Sequence, residues 1–390
     1  MNSVSGIAFT PQRAVAPRGT HVSGRAEAEV TSPADGVVLS DAKAIAGSAR
    51  PGSLWVVDQH LPPPSLGVPG PFAVVEHFVS HGQKVIAAAR QSGFQGPIGA
   101  LEVNDDLENL PFADDLMRQQ QLWQSDRPED LRESLRTFVC VQRKMTLHDA
   151  SKKLEQLCEA GVRQSAVNLS LGSSQAESVQ QLLAQVTGGD SQTKMKFIQA
   201  FELDISKLSN PDPAISGAER VRLHQQFFAL AASVEQDPGF VAEKNRYDQN
   251  VARFEAGHNS VVVAATNSGQ LAELLQEHAL GTPSPVPAQA FRNDLCSPLT
   301  TNVGAAQNGR VADYSADFQG LSLYADGSLE FGGSLHSGTS LAAPRVAAAL
   351  AQIHGQQPEL SSEAVELQLK QRLARLLGEA EGKTVAPVLE

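Results

Sequence analysis

Hydrophobic positions along this 390-residue chain follow two rhythms that take turns. Continuous apolar runs occur at 52–60 (GSLWVVDQH), 97–104 (PIGALEVN), 137–142 (TFVCVQ), 165–172 (SAVNLSLG) and 260–269 (SVVVAATNSG), all but 137–142 with Gly or Pro at an end. Runs this short, with no polar alternation, predict strands buried on both faces. Between them the spacing becomes helical. In 77–94 (HFVSHGQKVIAAARQSGF) the apolar positions are Val85, Ile86 and Ala89, with Ser80 as a candidate N-cap. In 146–160 they are Leu147, Ala150, Leu154, Leu157 and Cys158, set between a capping Thr146 and a terminating Gly161. Buried strands alternating with helices predict an α/β domain built on a mainly parallel sheet.

Residues 173–258 break this alternation. They are polar and Gln-rich, with helical patches at 179–186 (VQQLLAQV) and 220–234 (RVRLHQQFFALAASV), and a loop-like SNPDPAISG at 209–217. The pattern predicts a helical insertion outside the sheet. Short β segments are expected at 301–305, 310–314 and 320–324, followed by helices at about 341–354 and 362–377. The resulting plan is a polar segment over 1–48, expected to be disordered, a folded domain over 49–378 with its insertion at about 173–258, and a tail over 379–390.

Composition narrows the class. Hydrophobic residues make up 41% and charged residues 19%, as in a globular protein. The formal charge of −12 argues against a partner held by phosphate neutralisation, so no nucleic acid is expected. Cys140, Cys158 and Cys296 form no CxxC pair and read as free thiols, not as a disulfide framework or a zinc site. No apolar run reaches the ~18 residues of a membrane span. The first 25 residues carry Arg13, Arg18 and Arg25 without a continuous apolar core. This is not a Sec-type signal, and the expectation is a cytoplasmic protein or one exported by a non-Sec route. The acidic pairs Asp105–Asp106 and Asp114–Asp115 read as solvated loops before they read as calcium sites.

The candidate chemistry centres on HSGTSLAAPRVAAAL at 336–350. Proline is tolerated in a first helical turn, so Pro344 predicts a helix start close to Ser340. A serine there faces free N–H groups and the positive end of the helix dipole. By itself it reads equally well as an N-cap. A nucleophilic serine needs a base, and the base needs an orienting group. His81 lies at a predicted helix start, and Asp58 ends a buried strand at the edge where parallel sheets place ligands. Asn267 closes another strand and offers a side-chain amide to an oxyanion, or forms an ordinary Asn-Ser-Gly turn. His60, two residues beyond Asp58, is an alternative partner for it.

Taken together, these segments resemble the subtilisin-like serine proteases, the subtilases. GTSLAAP at 338–344 is similar to the family's nucleophile motif, with Leu341 where the commonest form has Met. WVVD at 55–58 resembles the strand that ends in the catalytic Asp. SHGQKVIA at 80–87 resembles the HGTHVAG segment around the catalytic His, with Gln83 and Lys84 replacing Thr and His. VNLSLG at 167–172 resembles the strand that binds the substrate backbone, and VVVAATNSG at 261–269 the strand leading to the oxyanion Asn. The likeness covers about 50–172 and 259–378, with interruptions.

It implies a subtilisin-like three-layer fold and a serine endopeptidase. Asp58, His81 and Ser340 would be its triad, Asn267 its oxyanion donor, and Ser170, Leu171, Gly172 and Ala265 its substrate contacts. It implies a protein or peptide substrate and no required cofactor. A structural calcium ion is compatible with the family and has no place assigned here. The insertion is expected to border the cleft as a lid, exosite or docking surface, or else to decorate the periphery. The altered neighbours of Asp58 and His81 keep a second class open, a pseudoprotease that binds protein partners without cleaving them.

Overall fold

The computed structural model describes residues 42–60, 80–103, 112–208, 213–271, 288–376 and 388–389. Residues 1–41 of the polar leader, Asp105–Asp106, and 209–212 of the expected loop lie outside this set. Among the described residues, seven parallel strands and one short antiparallel one make the central sheet. These are β1 (Leu54–Asp58), β2 (Ile98–Glu102), β3 (Ala166–Leu169), β4 (Ser260–Ala264), β5 (Thr301–Gln307), β6 (Arg310–Val311), β7 (Leu323–Asp326) and, after a separate hairpin of β8 (Ser328–Phe331) and β9 (Ser334–Ser337), β10 (Val388–Leu389). Their order is β10-β7-β5-β4-β3-β1-β2, with β6 paired antiparallel to β5. The register aligns Leu54 with Ala166, and Ala166 with Ser260. Asp58 and the residues that follow β3 and β4 therefore emerge at one edge.

Both faces of the central strands are covered, which is why their sequences are continuously apolar. Side chains alternate between two cores because the strand period is two. Trp55, Val57, Val167, Leu169, Val261 and Val263 face one way, beneath α4 (Pro128–Glu159) and α9 (Pro238–Glu255). Leu54, Val56, Ala166, Val262 and Ala264 face the other. They meet α2 (His81–Gln91), the nearly all-buried α10 (Thr339–Gln356) and α11 (Ser362–Leu376). This is the expected three-layer subtilisin-like arrangement.

The strand expected at 137–142 does not exist. Those residues are the middle of α4, a 32-residue helix about 48 Å long. The apolar run misleads because this part of the helix is buried nearly all round, against α9 on one side and against α3 (Ala113–Trp123) and α6 (Ser191–Phe201) on others. A buried helix and a buried strand look alike over six residues. Thr146 accordingly starts nothing, and its hydroxyl donates to the Gln142 carbonyl one turn back. Gly161 does follow the helix end, with φ +71°.

Other boundaries also move. Asp114 and Asp115 lie in the first turn of α3, where Asp115 pairs with the buried Lys144. The last residues of the leader form a short helix, α1 (Ala42–Ser48), whose Ile45 is fully buried. Of the expected 310–314 segment only Arg310–Val311 is strand. Cys140, Cys158 and Cys296 are free thiols.

The insertion is helical as expected. α5 (Gln175–Gly188), α6, α7 (Ile205–Leu208) and α8 (Pro213–Ser233) precede α9, so residues 213–217 begin a helix and are not loop. Adjacent parallel strands need only one crossover helix, and α9 fills that place between β3 and β4. The buried guanidinium of Arg143 in α4 fastens the surrounding layer. It donates to both carboxylate oxygens of Asp294 at 2.8 and 2.6 Å and to the Ala231 carbonyl at 2.9 Å, and it lies 4.7 Å over the Phe240 ring. Asp294 in turn accepts from the Ser173 hydroxyl at 2.8 Å, just beyond β3. Breaking such a pair strands a buried carboxylate. Arg143→Met is expected to lower unfolding stability by about 3–5 kcal/mol in urea titrations; a change below about 1 kcal/mol would contradict this role.

Candidate active site

Asp58 is the last residue of β1 and is 2% exposed. Its Oδ1 accepts the Gln59 backbone N–H at 2.7 Å. Both carboxylate oxygens lie close to His81 Nδ1, at 2.8 and 2.9 Å. His81 is the first residue of α2, and that start is fixed by a capping box. The Ser80 hydroxyl accepts the Gln83 N–H, and the Gln83 side chain accepts the Ser80 N–H. A carboxylate only accepts hydrogen bonds, so the proton sits on Nδ1 and leaves Nε2 of the neutral ring as an acceptor. Nε2 lies 3.0 Å from Ser340 Oγ, across 259 residues of sequence.

The charge of Asp58 raises the His81 pKa above the usual histidine value. Burial and the nearby Lys84 work against this, and the Asp58 hydrogen bond adds to it. His60 does not take His81's place. Its ring bonds the Val56 carbonyl at 3.1 Å, and its backbone N–H donates to Glu102 at 2.6 Å. Burial lowers its pKa. The ring presses on Gly82, where a Cβ would come within 2.4 Å of it.

Ser340 is the second residue of α10, so its own N–H has no partner within the helix. Pro344 is the sixth residue, so the helix starts at Thr339, close to Ser340 as the sequence predicts. A proline there removes the hydrogen bond that would reach back to the Ser340 carbonyl. The Ser170 hydroxyl donates to that carbonyl instead, at 2.9 Å, and itself accepts from Asn168 Nδ2 at 2.8 Å. Ser170 is therefore tied to the backbone of Ser340.

Asn267 stands at the exposed end of β4 and faces the same place. Its Oδ1 accepts the Thr339 N–H at 2.9 Å and the Thr339 hydroxyl at 3.1 Å. With its oxygen held, the amide nitrogen is turned toward Gly338, where a Cβ would lie 3.6 Å from Nδ2 and 3.2 Å from Ser340 Oγ. Ala265 is buried, and its carbonyl accepts the Thr339 hydroxyl. Gly172 is exposed, while Leu171 is half-buried with its carbonyl bound by Asn293 at 3.0 Å. Asn293 also bonds the Ala264 carbonyl at 2.8 Å, which links the ends of β3 and β4. The structure thus gathers Asp58, His81, Asn267 and Ser340 with the 170–172 segment at one edge. Ala265 forms the floor beneath them.

Sequence reasoning missed Thr339, Asn168 and Asn293. Thr339 lies inside the GTSLAAP motif, and only its position beside Ser340 hinted at more. Among the described residues, no group of three or more His, Cys, Asp or Glu side chains is placed to hold a metal ion.

The subtilase family model matches residues 134–381, more than half of the chain. The match includes Asn267 and Ser340, whereas Asp58 and His81 precede it. The chain belongs to the subtilase family and is a subtilisin-like serine protease. Solved structures similar to it include a cold-adapted subtilisin-like serine proteinase, at 14% identity over 86% of this chain and 87% of that one, with a TM-score of 0.38. A lanthipeptide protease shares 12% identity over 87% and 86%, with a TM-score of 0.40. The nisin leader peptidase NisP from Lactococcus lactis shares 13% over 87% and 85%, with a TM-score of 0.38. No curated protein matches the chain.

The placement of His81 has a direct spectroscopic consequence. Its ring should titrate above the ordinary histidine value in an NMR pH series, with His81→Gln identifying the signal. Asp58→Asn removes the raising charge, so the titration should move to lower pH. An unchanged midpoint would show that Asp58 does not set it.

Proposed function

We propose that the protein is an endopeptidase in which Asp58, His81 and Ser340 act as a charge-stabilised nucleophilic triad. One observation carries this reading: Asp58, His81 Nδ1, His81 Nε2 and Ser340 Oγ form an unbroken hydrogen-bonded line from residues far apart in sequence. Ser340 Oγ attacks the peptide carbonyl and passes its proton to His81 Nε2. Asp58 stabilises the imidazolium. The carbonyl oxygen becomes an oxyanion that accepts from Asn267 Nδ2 and from the Ser340 backbone N–H. Collapse breaks the C–N bond, and His81 returns the proton to the departing amine. Water then enters, gives a proton to His81 and attacks the acyl carbon; the C–Oγ bond breaks, and His81 returns the proton to Ser340 Oγ as the acid leaves. The substrate backbone lies extended beside Ser170–Gly172.

Catalysis requires neutral His81, so kcat/KM should fall as pH drops through its raised pKa. A fluorophosphonate should label Ser340, and Ser340→Ala should abolish the labelling. Peptide hydrolysis should then fall by roughly 10⁶-fold, the scale known for loss of a subtilisin serine. Asn267→Ala should lower kcat by about 10²–10³-fold with a smaller change in KM. Wild-type protein that resists the fluorophosphonate while folded would favour a protein-binding pseudoprotease.

A further inference from the structure

The first turn of α5 holds a carboxylate that the triad does not use. The sequence Ser174-Gln175-Ala176-Glu177 has the form of a capping box, in which the acid would turn back onto its own N-cap. One half of that box is present, with the Ser174 hydroxyl accepting the Glu177 N–H at 3.0 Å. The carboxylate goes elsewhere. It lies over Gly172, where a Cβ would stand 3.0 and 3.1 Å from its two oxygens. The backbone N–H of Asn267 lies near it and favours its charged form. Glu177 thus spans the ends of β3 and β4, which run side by side up to Leu169 and Val263 and then diverge.

A peptide extended along Ser170–Gly172, with its scissile carbonyl at Ser340 and Asn267, has one side chain that must enter this gap. It belongs to the residue whose carbonyl is attacked, the P1 residue. Gly172 brings no side chain to the gap, which leaves the carboxylate reachable over it. Oε2 of Glu177 is enclosed and has no hydrogen-bond partner. The charged group acting on it is a second carboxylate, Asp294, already held by Arg143 and Ser173. Burial, reinforced by Asp294, pushes the Glu177 carboxyl up to about 7. A cation brought to that free oxygen would stabilise the charged form that burial and Asp294 disfavour.

We infer that Glu177 is a specificity-determining residue that selects lysine or arginine at P1. This rests on the proposed endopeptidase reading, since it takes Ser340 as the point of attack. The test uses internally quenched peptides identical except at P1, carrying arginine, its neutral isostere citrulline, or leucine. The readout is the ratio of kcat/KM values, which is indifferent to the amount of folded enzyme. Wild-type protein should favour arginine over citrulline by roughly 10- to 150-fold, the scale of one charge-assisted hydrogen bond. Glu177→Gln should bring that ratio close to one, and Glu177→Asp should restore part of it. A wild-type ratio near one, or a ratio that Glu177→Gln leaves unchanged, overturns the inference while peptide hydrolysis sustains the protease reading. No Ser340-dependent hydrolysis of any of the peptides, together with no fluorophosphonate labelling, overturns both.

Discussion

The carbonyl of Ser340 is the joint on which the site depends. In an uninterrupted helix it would accept the N–H four residues on. Pro344 has no N–H to give, so the carbonyl is left for a tertiary partner, and the Ser170 hydroxyl supplies it. Ser170 is held by Asn168, whose place is fixed by β3. The helix carrying the serine and the strand edge proposed to carry substrate are thereby registered to one another. A proline that costs a helix hydrogen bond gains a link between two elements 170 residues apart.

A second joint stands on the other side. Thr339 hands its N–H and hydroxyl to Asn267, and the hydroxyl also reaches the Ala265 carbonyl. Fixing the amide oxygen orients the amide nitrogen, as its proposed role as an oxyanion donor requires. Asn293 closes the arrangement by bonding both the Leu171 and Ala264 carbonyls. Thr339 and Asn293 are small polar side chains in buried places. Each is paired because an unpaired polar group there is expensive.

The unusual neighbours of the proposed triad have ordinary physical roles. Gln83, where the HGTHVAG motif it resembles has Thr, completes the capping box that starts α2 at His81. His60 fills the space that Gly82 leaves open, and its backbone is held by Glu102. Both residues pack or bond beside the Asp58–His81 pair. Neither occupies the line from Asp58 to Ser340.

The sequence alone located the sheet edge that carries the site. Asp58, Gly172 and Asn267 each close an apolar run, and runs buried on both faces belong to a parallel sheet whose ends share one edge. The order of short motifs added Ser340 and His81. What sequence could not determine was anything set by packing all round. The 137–142 run is apolar because α4 is enclosed on several sides, a cause that composition cannot separate from a strand. The depth of Pro344 in its helix, the hold of Thr339 on Asn267, and the turn of Glu177 away from its own cap toward Gly172 were decided by tertiary structure. Each is a choice of hydrogen-bond partner between residues distant in the chain, and local pattern carries no record of such a choice.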